Sequence, residues 1–124
     1  MNEFPKCLLI VTAEIDPAVE SDWNRWYDTV HLPDALRCPG VRRGRRYVSS
    51  GQISETTAGK TERSEKRIYT TIYELDGPDT VATPEFKAGR QPELRINQQR
   101  AFFHVAVGIG QELDVPLSGR ALDR

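Results

Sequence analysis

Cysteine, histidine and methionine are all scarce in this sequence, with 2, 2 and 1 copies in 124 residues. Two cysteines, Cys7 and Cys38, cannot build the bridge network of a small secreted scaffold, and no CxxC or Cys/His spacing suits a metal. An excess of one charge is missing too. The formal net charge is −1, which provides no general basic field for nucleic acid or a membrane surface. No apolar run approaches the length of a membrane span. The first six residues lack the basic-then-apolar build of a secretory signal. These absences predict a cytoplasmic protein with reduced thiols, no metal or other cofactor, and no nucleic-acid or membrane partner. The length predicts a single domain over residues 1–124, large enough to bury a core without staples.

What is present has a readable order. Residues 7–15 (CLLIVTAEI) form a short, β-rich, nearly continuous apolar run, which predicts a central strand buried on both faces. Asp16-Pro17 is a helix start, with Asp as N-cap and Pro at the first helical position. Val19, Trp23, Trp26, Tyr27 and Val30 recur at helical spacing and predict a core-facing helix to about His31. Pro33 lacks the N–H that would bond Thr29, so it is expected to interrupt that helix near His31, with one further turn open over 34–37 before Pro39-Gly40 stops it. Residues 41–48 (VRRGRRYV) read as an edge strand, with Val41, Arg43, Arg45 and Tyr47 on one face. Residues 49–66 are polar and aperiodic, which predicts a long mobile loop able to act as a lid. Residues 67–75 (RIYTTIYEL) read as a third strand. Asp76-Gly77-Pro78 is a turn, and a second helix follows to about Gly89, restarted by Pro84. Residues 101–108 (AFFHVAVG) read as a fourth strand, and 109–124 as an extended C-terminal tail anchored by Val115-Pro116-Leu117.

The order is βαββαβ, an α+β, ferredoxin-like arrangement with an antiparallel sheet. Helices cover one face of such a sheet, yet the strands are apolar on both. A second copy of the same sheet is the economical cover, which predicts a homodimer.

Trp26-Tyr27-Asp28-x-x-His31-Leu32-Pro33, followed by Pro39-Gly40-Val41, Arg46-Tyr47 and Tyr73-Glu74-Leu75, resembles the EthD-like proteins of the dimeric α/β-barrel superfamily. The resemblance covers most of residues 7–108 but not the second helix, the long loop or the tail. It implies protomers pairing sheet to sheet into a barrel. The superfamily includes cofactor-free cyclases, isomerases, lyases and oxygenases, and also haem enzymes, so the reaction is not implied with the fold.

The candidate chemistry centres on His31. Trp23, Tyr27 and His31 lie at i, i+4 and i+8 on one helical stripe. The helix end and nearby Asp28 both favour the imidazolium, which predicts a raised pKa and an acid role at rest. Asp28 is the expected orienter of the ring, and Tyr27 or Tyr73 the hydrogen-bond donor. Arg43 and Arg45 are the expected anion anchors. Trp23 and His104 complete the substrate-binding candidates, although a core role suits both. Three readings stay open: a cofactor-independent acid/base enzyme acting on a small carbonyl, carboxylate or aromatic compound; a non-catalytic small-molecule binding or accessory protein; and a structural dimer with core histidines.

Overall fold

The computed structural model describes residues 4–89 and 102–113, with the backbone alone for 102–105. Its elements run β1 (Cys7–Ile15), α1 (Glu20–Trp26), a π-helical turn (Tyr27–His31), α2 (Leu32–Leu36), β2 (Val41–Val48), β3 (Ile53–Thr57), β4 (Lys60–Ser64), β5 (Tyr69–Leu75), a 3₁₀ turn (Pro78–Ala82), α3 (Pro84–Gly89) and β6 (Phe102–Gln111). Four strands form an antiparallel sheet in the order β2-β5-β1-β6, and β3 pairs with β4 alone. This is the ferredoxin-like topology, and β2 is an edge strand. Among the described residues, no helix is long and apolar enough to cross a membrane.

The sheet has two unlike faces. Cys7, Leu9, Val11, Ala13 and Ile15 of β1 are buried against the helices, with Tyr69, Thr71, Tyr73 and Leu75 of β5 beside them. The alternate residues, Leu8, Ile10 and Thr12 with Thr70 and Ile72, are only half-buried. So β1 is not buried on both faces within one protomer. Strand period 2 sends every second side chain to a face that the helices do not cover.

The connection after β1 differs from expectation. Asp16 does cap, accepting the Ala18 N–H at 2.9 Å, but the regular helix begins only at Glu20. Pro33 does not end it. The Leu32 N–H bonds back to the Tyr27 carbonyl, five residues earlier, and this wider turn carries the chain into α2 with Pro33 in its first turn. A π turn splays the carbonyls that a proline ring would strike in an α-helix. Val30, within the π turn, is 42% exposed, and Val19, ahead of the first helical turn, is 37% exposed, so neither joins the core.

Residues 49–66 are not a structureless loop. Ser54, Thr56 and Thr57 face Arg63, Thr61 and Lys60 in a hairpin, and the Thr56 and Thr61 hydroxyls meet at 2.7 Å. Its two-residue turn has Ala58 at φ 52° and Gly59 at φ 81°, the paired left-handed conformation that matches strand twist. Lys66 ties the hairpin to the sheet, reaching Glu55 at 3.0 Å and Glu14 at 3.7 Å. The second helical region matches expectation, a 3₁₀ turn followed by a restart at Pro84. Strand β6 runs three residues beyond Gly108, into the segment expected to be tail. Val115, Pro116 and Leu117 lie outside the described residues. Cys7 and Cys38 are both buried and both free.

Candidate functional site

The π turn builds the site. Trp26 and His31 are five residues apart, which in an α-helix places them on different sides. Here their rings stack at 4.8 Å with 16° between planes. Tyr27 meets the same imidazole edge-on, also at 4.8 Å. The Tyr27 hydroxyl lies 3.3 Å from that of Tyr73, on β5. Gly44 of β2 makes room for that second phenol, since a Cβ there would sit 2.7 Å from Tyr73 Cδ1.

Behind Tyr27 lies a cation. The Arg46 guanidinium is 4.3 Å from the centre of the Tyr27 ring, 5.0 Å from Trp23 and 5.5 Å from Tyr69. It donates to Asp28 Oδ1 at 2.7 Å and to Asn24 Oδ1 at 2.8 Å. Asn24 in turn donates to the Tyr69 hydroxyl at 3.0 Å. That hydroxyl donates to Glu20, and Arg67 pairs with the same Glu20 oxygen at 2.9 Å. A polar network therefore runs the length of α1 beneath the aromatic cluster.

His31 is held well below its ordinary value, at a pKa of about 4. Burial is the largest cause; Asp34 opposes it and the Arg46 cation adds to it. The expected raised pKa is therefore overturned. His31 sits where the chain continues into α2, so no helix end supplies partial negative charge there, and desolvation favours the uncharged ring. At neutral pH the imidazole is therefore neutral, the form that accepts a proton and not the one that donates it as imidazolium.

The expected constellation is only partly assembled. His31, Tyr27 and Tyr73 come together as anticipated. Asp28 does not serve as orienter: its carboxylate is exposed and bonded to Arg46, and the acid that acts on His31 is Asp34. Trp23, 4% exposed, supports Tyr27 from behind as core, its ring 5.2 Å away. Arg43 and Arg45 pair with Glu74 and Ile72 of β5, not with the buried Tyr73 row, so they lie on the sheet face away from His31. Arg43 bonds Glu74 at 2.5 Å. A register shift between Val41 and Arg43 lets Arg42 reach Glu74 as well, at 3.8 Å, as a bulge does when two residues oppose one. The backbone of His104 pairs with Glu14, and its side chain lies outside the described residues. Sequence reasoning missed Arg46 and Trp26. Both stood in the blocks that resemble EthD-like proteins, but Arg46 shares the face of Gly44 and not of Arg43, and Trp26 read as core because its stacking with His31 exists only across a π turn. Among the described residues, no three His, Cys, Asp or Glu side chains are grouped to hold a metal.

Residues 6–115 match the family described as a domain of unknown function, DUF4286. No curated protein matches the chain. Solved structures share its fold. An EthD family protein from Bacillus halodurans C-125 superposes with a TM-score of 0.53 at 18% identity, covering 86% of this chain and 99% of its own. An antibiotic biosynthesis monooxygenase-like protein from Bordetella bronchiseptica gives 0.54 at 15%, covering 89% and 99%. A Streptomyces coelicolor monooxygenase, from the gene ActVA-Orf6 and in complex with nanaomycin D, gives 0.53 at 10%, covering 91% and 92%. The chain thus shares the fold of these proteins, an EthD family protein among them, as its resemblance to EthD-like proteins implied.

Proposed function

Since the chain belongs to the DUF4286 family, a domain of unknown function, its chemistry rests on its own side chains, and we propose that it is an acid/base enzyme with His31 as general base. The carrying observation is a neutral, half-buried imidazole packed against Trp26 and Tyr27, with the Tyr27–Tyr73 hydroxyl pair behind the latter. The substrate is a small carbonyl, carboxylate or aromatic compound. A C–H or O–H proton passes to the imidazole, the electron pair moves onto the substrate oxygen, and a phenol donates a hydrogen bond to the charge that develops there. Return of the proton to another atom gives isomerisation or cyclisation; loss of a leaving group gives lysis. This chemistry draws only on side chains. That a monooxygenase of the same fold is seen with nanaomycin D supports a small organic ligand.

The protein works as a homodimer in this reading. Leu8, Ile10 and Ile72 are half-buried on the open sheet face, and the small residues Ala106, Gly108 and Gly110 flank them on β6. A second copy of the same face would bury roughly 2,000 Å² or more in total. The two free cysteines suit a reducing cytoplasm.

A second reading, a binding or accessory protein without turnover, is favoured by the burial of Tyr27 and Tyr73, each 2% exposed. One experiment separates the two. His31→Gln keeps the size of the ring but cannot carry the proton, and should lower turnover on an active carbonyl substrate by roughly 10²- to 10⁴-fold while binding persists. Full activity in His31→Gln would remove His31 from the mechanism. Tight binding with no turnover by the wild type across a panel of carbonyl and aromatic compounds would establish the binding reading.

A further inference from the structure

Resting on the acid/base reading of His31, we infer that Arg46 is a positioning residue: clamped by Asp28 and Asn24, its guanidinium fixes the Tyr27 ring between His31 and Tyr73. The Arg46 side chain is only 13% exposed although it carries a full charge. Its two terminal nitrogens are each engaged by a residue of the helical segment, Asp28 at 2.7 Å and Asn24 at 2.8 Å. Those two residues are four apart and grip the fork along one helical stripe. The cation is thereby held over the face of Tyr27, where it approaches more closely than it does Trp23 or Tyr69. A planar, bidentate cation can hold a ring this way; an ammonium cannot. Arg46 Nε is buried with no hydrogen-bond partner among the described residues. An unpaired buried donor costs folding energy, which fits a residue kept for what it positions more than for stability.

The charge follows from the geometry. Among the described residues, Asp34 from α2 and Arg46 from β2 are charged groups that act on His31, and Asp34 is shared with Arg37 at 2.6 Å. Strand β5 adds two titratable groups to the cluster, Tyr73 through Tyr27 and Tyr69 beside Arg46. Arg46 opposes protonation of the imidazole, so the same side chain that sets Tyr27 favours the proton-accepting form of His31.

Nuclear magnetic resonance on the full chain tests this, because the sequence has 2 histidines and His31→Gln assigns one of them. Arg46→Gln should raise the His31 titration midpoint by about one pH unit and weaken the nuclear Overhauser contacts between the Tyr27 and His31 rings. Arg46→Lys should leave the midpoint nearer the wild type yet still lose the ring contacts. A folded Arg46→Gln with unchanged midpoint and contacts would overturn the proposal. Full recovery of the contacts in Arg46→Lys would do so too, reducing Arg46 to a point charge. If neither variant folds, Asn24→Ala and Asp28→Asn release the clamp and keep the cation. Weakened ring contacts in these support the proposal, and unchanged contacts in both overturn it. None of these readouts uses turnover. Should the Arg46 variants move His31 while His31→Gln keeps full activity, the positioning role stands and the acid/base reading falls.

Discussion

Arg43 and Arg46 stand on one strand, three residues apart, and have opposite fates. Arg43 points to the open face of the sheet, exposed and paired with Glu74. Arg46 points to the helix face, buried among Trp23, Tyr27 and Tyr69. The same contrast holds for the faces as wholes. One holds the buried aromatic cluster and the candidate chemistry; the other mixes half-buried Leu8, Ile10 and Ile72 with threonines and the exposed Arg43–Glu74 pair. An odd number of steps along a strand decides between them, so residue type alone cannot say which arginine belongs to a site.

The contrast can be broken from either side. The largest effect should come from the open face. Ile10→Asp or Ile72→Asp places a charge where a second sheet would pack, and should weaken dimerisation by ~10³-fold or more, about 4 kcal/mol, with each protomer still folded. Analytical ultracentrifugation across concentrations checks it, and an unchanged dimer, or a wild type that is already monomeric, would reject the assigned face.

The next effect lies on the helix face and depends on pH. Burial holds His31 at a pKa of about 4 in the folded chain, against an ordinary value of 6.5. Between those values the unfolded chain binds a proton that the folded chain refuses, so stability rises with pH in that window. The contribution is complete above pH 6.5, is lost as pH falls toward 4, and changes no further below it. Its full size is roughly 3 kcal/mol. Urea denaturation of wild type and His31→Gln from pH 7 to 4 should show a steeper decline for the wild type; parallel curves would mean that burial does not hold the ring neutral.

Smaller effects sharpen the comparison within β2 itself. Gly44→Ala pushes a methyl group to within 2.7 Å of the buried Tyr73 ring and should cost about 1–3 kcal/mol in chemical denaturation. Arg43→Ala removes an exposed ion pair on the opposite face and should cost less than about 1 kcal/mol. Equal losses for the two would contradict the difference between the faces.

Much of the fold was legible because strands and turns write themselves locally. The runs at 7–15 and 67–75, the turn at Asp76-Gly77-Pro78 and the Pro84 restart all follow from period and proline chemistry. The hairpin at 53–64 was not, since its strands are polar and its turn uses Ala58 where Asn or Gly is the usual signal. Within the candidate site, Tyr27 and His31 share a helical stripe that spacing makes visible, whereas Tyr73 reads from its strand face alone. Asp28 was assigned to the wrong partner because Arg46 arrives from β2, a tertiary contact with no local trace. The His31 charge state was inverted for a related reason: the sequence suggests a helix end, but the chain continues, and burial then dominates.

The π turn also makes chain length a functional quantity. Residues 27–31 hold one residue more than an α-helix needs to bridge Trp26 and Leu32. Thr29 and Val30 on its outer side are exposed, so substitutions there should be well tolerated. Deletion of either should not. It would let the ladder close in α-helical register, swing everything downstream by about 100° relative to the sheet, and set the Pro33 ring against an ordinary helical carbonyl. Among descendants of this sequence, positions 29 and 30 should drift freely in spelling while the segment keeps its count.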